Sequence, residues 1–212
     1  MREVWVETNV GMASDDGAAV WCYDLDLWGV CVQGRTAEAA LADFADAEGG
    51  CQVMQILRGD EQAFTRDHRP ATDAELQTTL SILAGARAET LALLDLPVAV
   101  LDRDDPTRPL PTWARWRTIR QTLWHIADTE SRYYLPQCGL AARERREYLA
   151  DELLRSAEHV HRIVETMPRD LVDLRDGETW TSTKLLRRLA WHEAGELRAI
   201  QALLARWGWD TG

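Results

Sequence analysis

Basic residues are scarce in this sequence, and lysine is nearly absent. Of its 212 residues, 24 are lysine or arginine and 35 are aspartate or glutamate, so the formal net charge is −11, and Lys184 is the only lysine. Direct nucleic-acid binding needs a basic surface that displaces counterions from phosphates. We therefore expect no nucleic-acid partner.

Long apolar stretches are absent as well. The longest stretch without a charged residue runs over eleven residues, from Leu76 to Ala86, which is about half the length of a transmembrane helix. The residues from Met1 to Trp5 include a glutamate and form no apolar core, unlike a secretory signal. We expect a cytoplasmic protein with no membrane partner.

Cysteine is sparse, and the four cysteines show no CxxC spacing. Three of them, Cys22, Cys31 and Cys51, lie in apolar runs of β type, and the fourth is Cys138. This pattern favours buried free thiols in a reducing compartment. The sequence also has neither a glycine-rich phosphate loop nor a nucleophile elbow, so nothing in it supports nucleotide binding or serine hydrolysis.

Charge and hydrophobic period both change near residue 70. Residues 1–70 contain 5 basic and 13 acidic residues, whereas residues 71–212 contain 19 and 22. Residues 67–70 (DHRP) read as a linker, because proline disfavours helix at the residue before it. Thr72 and Glu75 then form the pattern of a capping box. We predict two domains, 1–70 and 71–212.

The first segment has the pattern of a small sheet with one covering helix. Val4, Val6 and Val10 alternate with polar or exposed-type residues, which is typical of a half-buried strand. Two short β-prone runs follow, then a helix whose predicted N-cap is Thr36, and a last run at 51–57. The predicted order is β-β-β-α-β.

The second segment is helical in period. Apolar residues recur every three or four positions, which predicts helices near 73–95, 113–135, 142–166 and 182–207. Four helices of this length with short connections favour an antiparallel four-helix bundle. The predicted fold class is therefore α+β, with the small β-β-β-α-β domain first and the bundle second.

The last helix carries polar residues on the face that should point into the bundle. His192, Glu193 and Glu196 lie within this apolar face, while Arg187 and Arg198 lie outside it. Burial of a lone carboxylate is unfavourable unless it is paired or bound to a metal. His192 and Glu196, four residues apart, could hold one ion, or they could bond each other or an arginine from another helix.

His125 is the candidate third ligand. It lies beside the apolar stripe of its own helix, so periodicity does not establish that it faces inward, whereas Glu130 lies within the stripe and is an equally good partner. His159 and His161, two positions apart, point to different helix faces and cannot chelate one ion together. We expect His161 at the core edge and His159 in solvent.

Two helical segments resemble the DinB/YfiT-like superfamily of four-helix bundle proteins. They are residues 120–130 (RQTLWHIADTE) and residues 186–193 (LRRLAWHE), and the resemblance spans roughly residues 73–207. The resemblance implies a bundle fold, pairing of two bundles into a homodimer, and a divalent metal such as zinc or nickel.

The ligand set is carried over by the same resemblance. Family members bind the metal through one histidine on the second helix and an HxxxH pair on the fourth, so His125 and His192 match ligand positions. This sequence has Glu196 at the third. Two histidines and one carboxylate are competent to bind zinc or iron, but the glutamate could equally mark a member that has lost its metal.

Residues 1–66 resemble the small HicB-like antitoxin fold. The segment 20–41 (VWCYDLDLWGVCVQGRTAEAAL) is similar to its aromatic strand, Gly-Cys turn, Gly-x-Thr helix start and Glu-Ala helix. Here the turn lacks the usual proline and has one extra residue. Antitoxins of this kind also carry a separate DNA-binding segment that this sequence lacks, so the resemblance implies a fold and no antitoxin activity.

These features lead to two functional hypotheses. The first is a metal-dependent enzyme that transfers low-molecular-weight thiols or hydrolyses small amides, with Glu193 or Glu130 as general base or as a partner of the ligands. Its partners would be a thiol or another small-molecule substrate. The second is a metal-free binding or dimerisation scaffold whose acidic N-terminal domain docks a protein. A third, lower-ranked reading is regulation through a basic, toxin-like partner of that domain.

Overall fold

The chain folds into a mixed α+β structure with strands first and helices after them. A computed structural model describes residues 1–12, 15–108 and 110–209. Within these residues, no helix is both long enough and apolar enough to cross a membrane.

The N-terminal segment is a four-stranded sheet with one helix. Its strands are β1 (Arg2–Val10), β2 (Gly17–Cys22), β3 (Cys31–Gly34) and β4 (Cys51–Arg58), and its helix is α1 (Ala37–Glu48). The strand order is β3-β2-β1-β4. β1 pairs antiparallel with β2 and parallel with β4, so α1 connects β3 to the far edge of the sheet. This is the predicted β-β-β-α-β order, and Thr36 caps α1 as expected.

Both faces of this sheet are covered. Val4, Val6 and Val20 pack against Phe44 of α1 in one apolar cluster. Trp5 and Trp21 point to the other face, where they join the core of the helical segment. The sheet therefore lies between α1 and the helices that follow it.

The helical segment is built from four long helical stretches in the described chain. They are α2 (Asp73–Ala92), α4 (Ile119–Asp128) with its continuation, α6 (Leu149–Thr166) and α7 (Ser182–Arg206), and a short α3 (Val98–Leu101) precedes α4. α2 and α4 each contact α6 and α7. α4 continues through a π-helical turn (Thr129–Tyr134) into α5 (Leu135–Gln137).

Two of these helices begin later than predicted. The second helix starts at Ile119 instead of near 113, because Thr118 and Gln121 form a capping box there. The third starts at Leu149 instead of near 142. Before it the backbone N–H of Arg146 donates to the carboxylate of Glu152 at 2.6 Å, which holds the chain outside the helix.

The helix directions differ from the expected antiparallel arrangement. Residue pairs between α2 and α7 advance in the same direction, from Thr79 with Leu186 to Glu89 with Gln201, so these two neighbours are parallel. The start of α4 packs against the end of α7, as the contact cluster of Ile119 and Leu203 indicates. Residues 138–148 then run back along the bundle, so the connections are not uniformly short.

A β-hairpin precedes α7 where the sequence predicted only a break. Its strands are β5 (Val172–Arg175) and β6 (Glu178–Thr181), and Asp176 and Gly177 form the turn with positive φ angles of 52° and 85°. An Asp-Gly pair is a strong signal for such a turn. The hairpin ends at Thr181, whose side chain caps the start of α7.

The predicted linker is partly buried, and it pairs with an arginine of α7. Asp67 is buried, and its carboxylate accepts hydrogen bonds from Arg187 at 3.0 and 3.1 Å. Arg187 lies outside the face of α7 that points into the bundle, as predicted, but it is buried. The sheet covers the side of α7 that points away from the bundle, so this side is buried as well.

Candidate metal centre

Three predicted ligands meet between α4 and α7. The Nε2 atoms of His125 and His192 lie 3.2 Å apart, and His125 Nε2 lies 3.6 Å from Glu196 Oε1. One ligand atom from each residue falls within 4.8 Å of the other two. His125 thus faces inward, which periodicity alone had left open.

These separations suit a single small cation. Ligand atoms roughly 2.0–2.1 Å from a tetrahedral zinc ion lie about 3.3 Å from one another. The three residues supply two imidazole nitrogens and one carboxylate oxygen, a donor set that zinc and iron both accept. The residues present therefore fit a divalent metal, and three protein ligands leave a further coordination position open.

The outer nitrogens of both imidazoles have partners of their own. His125 Nδ1 lies 3.1 Å from Thr129 Oγ1, and His192 Nδ1 lies 3.5 Å from Glu130 Oε1. Bonds of this kind fix the tautomer and the ring orientation of a metal-binding histidine. When His125 and His192 donate from Nδ1, the lone pairs of the two Nε2 atoms face each other, an arrangement that a cation between them relieves.

The protonation states also suit a metal site. Burial lowers the pKa of His125 and of His192, which favours the neutral ligand form. Burial alone would raise the pKa of Glu196, but its interactions with His125 and His192 and the charge of Arg108, whose Nη2 lies at 4.0 Å, outweigh burial and lower that pKa. Neutral imidazoles and an ionised carboxylate are the forms that bind metals.

Trp116 packs against the face of the His125 ring. The two rings are stacked, with centroids 3.4 Å apart and an interplanar angle of 10°. Trp116 lies outside α4, because the helix begins only at Ile119. The segment before α4 therefore contributes directly to the site.

An aromatic cavity of about 350 Å³ opens onto the three ligands. Its walls carry the rings of Trp113, Trp116, Tyr133, Tyr134, Trp180 and Trp191, and Arg188 and Asp60 add charged groups. A second cavity of about 240 Å³, lined by Cys31 and Arg108, reaches His192 and Glu196 from the side of the sheet. The sequence did not predict these walls, since they come from segments far apart in the chain.

Glu130 lies in the π-helical turn and is buried between two partners. Besides its contact with His192, its Oε2 accepts a hydrogen bond from Arg87 Nη2 at 3.0 Å. Burial raises the pKa of Glu130 to about 7, and the charge of Arg87 opposes this rise. Isolated π-helical turns occur frequently at functional sites. Of the two candidate catalytic glutamates, this one touches a candidate ligand.

Glu193 lies one step further from the three ligands. Its Oε1 accepts a hydrogen bond from Arg87 Nε at 2.6 Å, and it lines a different cavity, between α2 and α6. Burial, with the charge of Glu130, raises the pKa of Glu193 to about 7. Arg87 thus bridges the two glutamates. Sequence analysis did not single out Arg87, because α2 shows no polar motif around it.

His159 and His161 stay outside this cluster, and their predicted exposures are reversed. His159 is buried, with Nε2 at 2.7 Å from the carbonyl oxygen of Ala141, while His161 is exposed. The extended segment after α5 covers His159, and a period-based analysis of α6 alone could not reveal that segment.

Comparisons of the chain with models of protein families, with curated proteins and with solved structures found no match.

Proposed function

We propose that the protein binds one divalent metal ion, zinc, nickel or iron, through His125, His192 and Glu196. The observation that carries the proposal is the convergence of three ligand atoms from two helices within 4.8 Å. Support comes also from the partners of the two Nδ1 atoms, Thr129 and Glu130, which leave the two Nε2 atoms free to bind.

We further propose that the helical segment has a DinB-like fold and that residues 1–66 have a HicB-like fold. The motifs at 120–130 and 186–193 support the first, since they bring the matched positions His125 and His192 together. The order of strands and helix in the first segment supports the second.

The activity that fits this site best is hydrolysis of a small amide or transfer of a small thiol. When bound, a divalent ion with an open position acts as a Lewis acid that activates water or a thiol at neutral pH. The aromatic cavity beside the ligands would hold an apolar part of the substrate and exclude water. Glu130 would act as a positioning residue that orients His192, and Glu193 would act through Arg87.

Elemental analysis of untagged protein tests the proposal. We expect close to one equivalent of zinc, nickel or iron in the wild type, and its loss in His192→Ala. The matched control is His161→Ala, which removes an exposed histidine outside the cluster and should retain the metal. Absence of metal from the wild type, even after it is added back, would contradict the proposal.

A second candidate function is a metal-free binding scaffold, which one observation favours. Glu196 lies near both His125 and Arg108, at 3.6 and 4.0 Å, so its charge has partners within the protein. Thermal unfolding with and without added metal separates the two functions, because a ligand that binds only the folded state raises the melting temperature. Unchanged melting with zinc, nickel and iron would favour the scaffold.

A further inference from the structure

A third cavity lies beyond Glu130, on the side that faces away from the three candidate metal ligands. It has a volume of about 510 Å³ and opens between α2 and α6. This is within the range of roughly 300–1,000 Å³ that small-molecule sites occupy. Its walls are mainly aliphatic, formed by Leu83, Ala84, Ala88 and Leu91 of α2 and by Ala157 and Val160 of α6.

The floor of this cavity is charged. Arg87, Glu130 and Glu193 line it, and each is at least 95% buried. Arg87 donates to Glu193 through Nε and to Glu130 through Nη2, while its Nη1 donates to Ser156 Oγ at 3.0 Å and to the carbonyl of Leu153. One guanidinium therefore faces two carboxylates, and most of its donors are in use.

One carboxylate oxygen at this floor lacks a donor. Among the residues that the structure describes, Glu193 Oε2 accepts no hydrogen bond of normal geometry, although the nearby Thr90 hydroxyl lowers the pKa of Glu193. A buried carboxylate oxygen without a donor is unfavourable. The floor thus leaves one carboxylate oxygen for a further hydrogen-bond donor, preferably one with a positive charge.

The rim of the cavity carries no net excess of either charge. Glu158 and His161 lie at the opening, and Arg155 Nη1 lies 2.9 Å from the Glu158 carboxylate. An anionic ligand would meet a second carboxylate at the floor with no further cation beside it. A cation with an apolar body matches both the walls and the floor.

We propose that this cavity is a binding site for a small amphiphilic amine, with its ammonium group at Glu193 and its hydrocarbon part between α2 and α6. The site is separate from the candidate metal centre, since no candidate ligand lines the cavity. The proposal therefore does not depend on metal binding.

Calorimetric titration with phenethylamine tests the proposal, in buffer that contains a chelator. Phenethyl alcohol, of nearly the same shape without charge, and hydrocinnamate, with a negative charge, serve as matched ligands. We expect the amine to bind the wild type about tenfold or more tightly than either, the difference that one charged hydrogen bond supplies. Equal affinity for the alcohol, or no binding of the amine, would overturn the proposal.

Variants locate the site. Glu193→Gln keeps the shape and removes the charge, so we expect about a tenfold or greater loss of amine affinity. Ala88→Phe fills the cavity with a larger side chain and should abolish amine binding. Because Ala88 is exposed, this variant should fold, so it tests the site even if Glu193→Gln does not fold. Glu48→Gln, which changes an exposed glutamate of α1 outside the cavity, is the control and should bind as the wild type does. Binding that survives Ala88→Phe would place the amine elsewhere and contradict the proposal.

Discussion

The contact between Glu130 and His192 gives a single-residue prediction. Glu130→Gln keeps the size of the side chain but weakens the hydrogen-bond acceptor at His192 Nδ1, which lies at 3.5 Å. Partners of this kind contribute strongly to the affinity of metal-binding histidines, so we expect the dissociation constant for zinc to rise about 10- to 100-fold. Competition with a chromogenic chelator measures the constant.

The control for this variant is Glu165→Gln, which changes an exposed glutamate of α6 and should leave zinc affinity unchanged. Circular dichroism on each variant verifies that the helices are intact. A zinc affinity of Glu130→Gln equal to that of the wild type would show that Glu130 does not orient His192.

At the scale of residues, sequence analysis succeeded where one helix determines the position of a side chain. The spacing of His192 and Glu196 on α7 predicted that both face the same side, and they do. It failed where a second segment determines exposure. Arg187 is buried because the sheet covers α7, and His159 is buried because an extended segment passes over α6. A helical period describes one helix and not its neighbours.

The turn before β3 gives a prediction at the scale of elements. Gly29 has a φ of +79°, and a Cβ placed on it would lie 2.8–2.9 Å from the backbone and Cβ of Ala190 in α7. Gly29→Ala combines the cost of a left-handed backbone, about 1–2 kcal/mol, with that of overpacking, about 1–3 kcal/mol. We expect the free energy of unfolding to fall by roughly 2–5 kcal/mol, measured by chemical denaturation.

Gly49 provides the control because its φ is also positive and its surroundings are open. Its φ is +83°, and no atom beyond its chain neighbours lies within 4 Å of a Cβ placed on it. Gly49→Ala should therefore show only the backbone cost, about 1–3 kcal/mol for a φ of +83° with a ψ of −178°. Equal losses for the two variants would mean that the turn yields to the added methyl group and does not press on α7.

Elements were predicted best where they are long and periodic. The strands of the first segment and the helices α2 and α7 follow the predicted positions closely, since their patterns span several repeats. The π-helical turn at 129–134 has no such signal, because it depends on how Glu130 and its neighbours pack. The hairpin at 172–181 carried an Asp-Gly turn signal, but its two short strands are too polar to stand out as a sheet.

At the scale of the whole molecule, the sheet and the helices share one core. Trp21 of β2 packs with Trp191 of α7, with ring centroids 5.8 Å apart. Trp21 belongs to a large apolar cluster, and Trp191 packs against the same cluster. Ionic contacts run through the same junction, where Arg187 lies between Glu7 and Asp67. The hydrophobic period of the sequence changes near residue 70, but such a change carries no information on how the two segments pack against each other. The domain boundary itself stays a prediction.

The ion pair of Asp67 and Arg187 connects the junction to solution pH. Burial alone would raise the pKa of Asp67, but the charge and hydrogen bonds of Arg187, with those of Tyr23 and the Phe64 backbone, lower it below the ordinary value. Asp67→Asn removes the charge and leaves Arg187 with Glu7 as its ionic partner. Breaking a buried pair of this kind costs about 3–5 kcal/mol, so we expect a loss of this order in the free energy of unfolding near neutral pH.

The control for this variant is Asp24→Asn, which removes one exposed partner of Arg2. It should lower the free energy of unfolding by less than about 1 kcal/mol.

The pH dependence follows from the direction of the shift. Because the folded protein holds Asp67 ionised to lower pH than the unfolded chain does, its contribution is fully present above the unfolded pKa of about 3.9. It is lost only as pH falls further, through the lower pKa of the folded state. The stability difference between wild type and Asp67→Asn should thus stay constant from neutral pH to about pH 5 and shrink at stronger acidity. Urea denaturation across this range measures it, and a difference that already shrinks above about pH 5 would show that the pKa of Asp67 is raised in the folded protein and that burial outweighs Arg187.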